Sequence, residues 1–429
     1  MIPVGIGFKM ETLSNSAPDA AATTTTTNDG EKATASQVIT PEFRLANHLL
    51  LSKESGGYKN VAFSPLCIKL LLGIVAAGSN GPVCDELLSF LRSESINDLN
   101  SVATQLLSSL LVDRSSSGGP HLSFANGVWV DKTLSLKPSF SQVLENTYKP
   151  TLASLDFTNK GEVAKEINSW AERETKGVVN NIIDPYSIEL KDVIMANTLY
   201  FKGLWRDSGT FREKDTQDGD FHLLDGGGSV KVPFMDGSHN HYAIAHHYQD
   251  FKVLSLNYKE ASENGPKRMY AMHIFLPDEI NGLPALVEKV CTESESLENM
   301  LPNGYKNLGV LKIPRFRLSF MVEASPMLKK MGLVLPFMEG ALTEMVEERA
   351  AYISDIIQKC IIEVNEEGTK AVAAGRLQIP TTAGRGRRTR EKPPPPFDFI
   401  ADHPFLFLIR EQFTGTVLFV GQVLNPLYG

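Results

Sequence analysis

Residues 364–375 read Val-Asn-Glu-Glu-Gly-Thr-Lys-Ala-Val-Ala-Ala-Gly, and no ordinary element accounts for them. Exposed loops use polar turn formers and strands use large β-branched side chains. This segment uses neither. Every second residue, Thr369, Ala371, Ala373 and Gly375, is small. A strand sends alternate side chains to opposite faces, so these four share one face that fits over a packed core. Leu377, Ile379 and Thr381 continue that inward face, while Lys370, Val372, Ala374 and Arg376 point to solvent. The pattern is that of a loop able to become a strand. The other reading of the same residues is an alanine-rich solvated loop, since Gly375 weakens a strand interior.

An ordered set of motifs accompanies this segment. Asn60-Val-Ala-Phe-Ser-Pro65 precedes an apolar helix, and Asn197-Thr-Leu-Tyr-Phe-Lys-Gly-Leu-Trp205 contains a strand and a tryptophan. Val232–Met235, Ile313-Pro-Arg-Phe-Arg317, Leu328–Leu333, Asp402-His-Pro-Phe-Leu-Phe407 and Gly421–Pro426 follow in order. Together these motifs resemble the serpin family over residues 36–429. Leu333–Phe337, Leu342–Val346 and Phe399–Pro404 resemble its plant branch in particular.

The resemblance implies an α+β fold. It comprises a large central, mostly antiparallel sheet, two further sheets, about nine helices and an exposed reactive-centre loop near residues 364–397. It also implies a suicide inhibitor of a serine or cysteine protease. The loop is cleaved, the acyl-enzyme is trapped, and the freed segment inserts into the sheet, as serpin loops do in general. The implied hinge is Glu366, Glu367, Gly368, Thr369, Lys370, Ala371, Val372, Ala373, Ala374 and Gly375. Val372 and Arg376 are bulkier than is usual for the family. A charge on the inward face would be buried without a partner at a cost of several kcal/mol, and the inward positions through Thr381 carry none.

Two rules for the scissile bond disagree. Family spacing counted from Glu366 lands on Thr382-Ala383. Charge points instead to the run Gly384–Lys392, where Arg385-Gly386 and Arg388-Thr389 suit an Arg-specific, trypsin-like or metacaspase-type protease. That run makes the loop longer than in plant serpins, and a cut there leaves slack in the trap. The alternative is therefore a non-inhibitory serpin-fold binding or scaffold protein whose loop is merely a substrate. The run also reads as a nuclear-localisation or polyanion patch. The resemblance further implies a sheet-opening region of Ser64, Cys67, Asn197, Trp205 and Gln358, whose buried polar bonds hold the central strands closed. Gln358 stands where the family commonly has His, and Cys67 where it commonly has Ser, which implies altered stability of the native form.

No Pro/Gly/Ser-rich linker interrupts residues 40–383, which favours one domain over 37–429 behind a disordered, Ala/Thr-rich extension at 1–36. The net charge of −8 argues against nucleic-acid or membrane partners. Four scattered cysteines, Cys67, Cys84, Cys291 and Cys360, read as reduced thiols, and no Asn-x-Ser/Thr acceptor occurs. The apolar Met1–Phe8 is too short for a secretory core. These features predict a cytoplasmic or nucleocytoplasmic monomer, with the extracellular space reached by unconventional release. His239, His241, His246 and His247 read as surface residues rather than metal ligands, so no metal or cofactor is expected. With no nucleophile elbow, P-loop or paired-carboxylate site, the chain does not read as an enzyme.

Periodicity predicts helices throughout Pro41–Leu111, including an apolar one from Ser64-Pro65 to Ala77, and further helices at Pro138–Asn146, Glu162–Thr175, Leu283–Val290 and Ser325–Met331. It predicts strands at Phe124–Val130, Val193–Phe201, Met269–Leu276, Phe405–Ile409 and Val417–Val423, with short ones across Phe211–Tyr258. Lys312–Phe320 reads as a single strand.

Overall fold

Helices lead because apolar residues recur at helical spacing behind strong N-caps. The computed structural model describes residues 40–52, 59–188, 192–206, 210–261, 268–292, 297–366 and 395–428. Helix α1 (Pro41–Leu50) buries Phe43, Ala46 and Leu50. Helix α2 (Pro65–Ala77) is buried nearly all round, as its apolar sequence requires. Ser64 caps it, and Pro65 sits where a missing N–H costs nothing. Helices α3 (Gly81–Leu91) and α4 (Ile96–Gln105) start at the caps Asn80 and Ser95. A π-helical turn at Leu106–Leu110 extends α4.

Periodicity predicts helix throughout Pro41–Leu111, but the region is not wholly helical. Strand β1 (Val61–Phe63) interrupts it and pairs with a partner at the opposite end of the chain, Val61 facing Gln422. Three residues are too few to display a period. Strand β2 (His121–Asp131) outruns the predicted span at both ends. Helix α5 (Pro138–Val143) passes into a second π-helical turn, Leu144–Tyr148. Strand β3 (Thr151–Leu155) is an edge strand without large buried side chains, so its pattern is faint. Helix α6 (Lys160–Glu174) and strand β4 (Val193–Lys202) follow, β4 buried along almost its whole length.

Strands β5 (Gln217–His222), β6 (Ser229–Asp236), β7 (Tyr242–His247), β8 (Phe251–Asn257) and β9 (Tyr270–Pro277) come next. Helices α7 (Leu283–Thr292) and α8 (Leu297–Met300) precede β10 (Tyr305–Pro314) and β11 (Phe316–Glu323). Here the predicted single strand Lys312–Phe320 is two strands in two different sheets, divided at Arg315. Pro314 offers no N–H to a continuing ladder, and the Arg315 N–H turns to the Pro233 carbonyl. Helix α9 (Ala324–Lys330), strands β12 (Ile353–Val364), β13 (Phe397–Ile400), β14 (Phe405–Glu411) and β15 (Val417–Val423) complete the α+β fold.

Five strands form one sheet in the order β11-β12-β4-β2-β3. Where two further sheets are expected, the other ten strands form one, in the order β1-β15-β14-β9-β8-β7-β10-β6-β5 with β13 beside β10, because β10 bridges its halves: Tyr305–Asn307 pair with β7 and Lys312–Pro314 with β6. The five-stranded sheet lies between two apolar clusters. One face, with Met195, Leu199, Ile356 and Ile362, packs into the main core with α2 and the other sheet. The opposite face, with Ile194, Tyr200, Ile357 and Ile361, packs with Ile167 and Trp170 of α6. Burial on both faces explains why β4 lacks the usual polar alternation. Among the described residues, no helix is long and apolar enough to cross a membrane.

Candidate functional site

The central seam of the five-stranded sheet is a parallel pair. Strands β12 and β4 run side by side in register, Gln358 opposite Asn197 and Ile362 opposite Phe201, while β11 and β2 flank them antiparallel. The sheet-opening residues converge on this seam but divide along it. On the β12 side, the Gln358 Oε1 accepts from the Ser64 N–H (3.0 Å) and its Nε2 donates to the Ser64 carbonyl (2.9 Å). The Cys67 N–H donates to the Ser64 hydroxyl at 3.3 Å. On the β4 side, Asn197 Nδ2 donates to the Ala125 carbonyl (3.0 Å) and to Asn126 Oδ1 (2.8 Å). Asn197 Oδ1 and Asn126 Nδ2 are left buried with no partner. The longer glutamine thus spends both ends of its amide on the cap of α2. The polar cluster tightens each half, and no hydrogen bond joins the Gln358 and Asn197 side chains.

The end of β12 is held more firmly. Trp205, stacked on Tyr258 at 4.8 Å, donates its indole N–H to the Asn365 carbonyl at 3.1 Å. The Glu366 carboxylate, only 6 % exposed, accepts from Arg315 Nη2 and from the Thr216 hydroxyl. Burial alone would raise this carboxyl, but the hydrogen bonds from Arg315 and Thr216 outweigh it and hold it below the usual carboxylate range. Asn365 Nδ2 donates to Glu363 Oε1 at 2.7 Å. A cleft of about 500 Å³ runs along this root, lined by Arg315, Phe316, Glu363 and Leu427.

Beyond Glu366, the other hinge residues (Glu367, Gly368, Thr369, Lys370, Ala371, Val372, Ala373, Ala374 and Gly375) and the bond candidates Thr382, Ala383, Arg385, Gly386, Arg388 and Thr389 lie outside the described residues. The described chain resumes at Pro395, and β13 joins β10 in parallel, Phe397 opposite Leu308. His247 bonds Asp278 at 2.9 Å, and His246 packs on Tyr248. Among the described residues no three His, Cys, Asp or Glu side chains converge to hold a metal. All four cysteines are unpaired and buried. Sequence reasoning misses Asn126, Thr216 and Glu363 altogether. Arg315 and Lys202 stand inside quoted motifs, but nothing local discloses that their partners are Glu366 and Glu363.

Comparison with known proteins agrees with this geometry. The family model described as "Serpin (serine protease inhibitor)" matches residues 42–426. Serpin-ZX of Arabidopsis thaliana is 44 % identical over 391 residues, covering 90 % of this chain and 96 % of that protein. Serpin-ZXA of Oryza sativa subsp. japonica is 44 % identical over 379 residues, covering 87 % and 91 %. The solved structure of Arabidopsis AtSerpin1, described as the native stressed conformation, superposes with a TM-score of 0.80 at 42 % identity, covering 90 % of this chain and 96 % of that one.

Proposed function

The chain belongs to the serpin family, in its plant branch, and we propose that it inhibits a serine or cysteine endopeptidase as a suicide substrate. The target cuts the loop after residue 375 and is held as an acyl-enzyme while the freed segment enters the five-stranded sheet. One observation carries this reading: β4 and β12 are parallel neighbours, and β12 leads directly into the alternating small-residue segment. A chain that reverses after Glu366 runs antiparallel to β12, and therefore antiparallel to β4 as well. One parallel ladder is replaced by two antiparallel ones, which pair slightly more strongly per residue. Insertion of residues 369–381 creates about a dozen net hydrogen bonds of about 1 kcal/mol each, on the order of 10 kcal/mol in all. That is enough to drive an irreversible step. Trapping also demands speed, since each ~1.4 kcal/mol of insertion barrier shifts the partition between trapping and release tenfold.

The protease partner is Arg-specific if the cut follows Arg385 or Arg388, and of other specificity if it falls at Thr382-Ala383. Four buried, unpaired thiols support a reducing compartment, cytoplasmic or nucleocytoplasmic. The chain acts as an inhibitor and catalyses nothing itself. Mixing it with a trypsin-like protease and running a denaturing gel tests the reading. A stable covalent adduct supports it, and mass spectrometry of that adduct locates the bond. Clean cleavage with no adduct, and no rise in heat resistance of the nicked form, favours a serpin-fold scaffold instead.

A further inference from the structure

The insertion reading above leaves open what holds the seam shut at the end where a strand would enter. Gln358 and Asn197 face each other in register across β12 and β4, yet their side chains bond different partners, Gln358 the cap of α2 and Asn197 the neighbouring strand β2. No side-chain hydrogen bond between the two residues has to break when the strands part there. At the loop end the situation is reversed. Lys202, the last residue of β4, reaches across to Glu363 of β12, with Nζ 3.2 Å from Oε1. Both side chains are largely shielded, 29 % and 28 % exposed. The same Glu363 oxygen accepts from Asn365 Nδ2, so the pair is tied to the root of the loop.

We infer that Lys202 and Glu363 form a latch that an incoming strand must break first, and that they act as positioning residues setting the insertion rate. This inference rests on the insertion reading. A strand starting from Glu366 enters at the Lys202 end of the seam. To admit it, β4 and β12 must move from one strand spacing apart to two, from about 4.8 Å to about 9.6 Å. A direct ion pair cannot span that distance, so its full contribution is lost before the new ladder forms. An ion pair this shielded, contributing about 1 kcal/mol, changes the rate roughly fivefold.

The probe is a fluorescent synthetic peptide copying Thr369–Thr381, added to the uncleaved full chain, with its uptake rate followed by native gel. Wild type takes it up slowly. Lys202→Met and Glu363→Gln take it up about fivefold faster, the double variant is no faster than either single, and Lys202→Arg keeps the wild-type rate. Equal rates in all variants, multiplicative effects in the double variant, or a fast Lys202→Arg overturns the latch. If Glu363→Gln does not fold, Lys202→Met against Lys202→Arg decides alone. Failure of wild type to take up any peptide overturns the insertion reading itself, a result distinct from equal uptake across the variants.

Discussion

Glu366→Gln isolates the electrostatic part of the loop root. The carboxylate accepts one hydrogen bond from the Arg315 guanidinium and one from the Thr216 hydroxyl, and it is 6 % exposed. A hydrogen bond to a charged group contributes about 1.5–3 kcal/mol. Arg315 is 42 % exposed, so solvent screening places the value at the low end, about 1.5 kcal/mol. On the proposed insertion reading, this stabilisation belongs to the uninserted form and is lost when Glu366 leaves its place. The variant should therefore relax about tenfold faster than wild type, followed as the gain of heat resistance by uncleaved protein at a fixed elevated temperature. The same group predicts a pH effect. Its folded pKa lies below the unfolded value of about 4.3. The stabilisation is therefore present above about pH 4.3 and is lost as pH falls through the lower folded value. Wild type should lose native stability below about pH 4 more steeply than the glutamine variant. Equal relaxation rates together with parallel acid slopes would refute the idea that this ion pair restrains the hinge.

Three further outcomes are expected. Gln358→Ala leaves the Ser64 N–H and carbonyl without their buried amide partner, so it should destabilise the native form by about 2–4 kcal/mol in denaturant melts; a loss under about 0.5 kcal/mol would show that Ser64 finds other partners. Burial pushes the Cys67 and Cys291 thiols up to about 12 and raises Cys360 strongly, whereas Cys84 is raised less and lies nearest the surface. An aromatic disulfide reagent should accordingly label Cys84 first and leave the other three until denaturant is added; rapid labelling of Cys67 or Cys360 in native protein contradicts this packing. Burial, with Arg410 nearby, pulls His273 down to about 3, while the unfolded chain binds a proton near 6.5. Native stability should thus fall as pH drops from about 6.5 toward 3, and His273→Gln should flatten that part of the curve. An unchanged slope in calorimetry would assign the acid lability elsewhere.

Elements with long apolar or strongly capped patterns are legible in the chain itself. The α2 helix announces itself through Ser64-Pro65 and an unbroken apolar run, and β4 through residues buried on both faces. Strands β1 and β3 do not, because they are three and five residues long and their pairing partners lie elsewhere in the chain. The division at Arg315 is invisible for a related reason: both sides alternate correctly, and only sheet membership separates them. In the candidate site, the residue types at the hinge and around Ser64 stand in the sequence. Their bonding partners do not.

Local chemistry alone determined where this chain turns, caps its helices and alternates its side chains, because those properties depend on neighbours a few residues away. Only the three-dimensional packing decided that β4 and β12 are parallel, that Gln358 grips Ser64 instead of Asn197, and that Lys202 meets Glu363 across the seam. Each of these joins residues far apart in the chain. Such pairs are selected by which faces bury apolar surface together, and that competition has no signature in any single stretch of sequence.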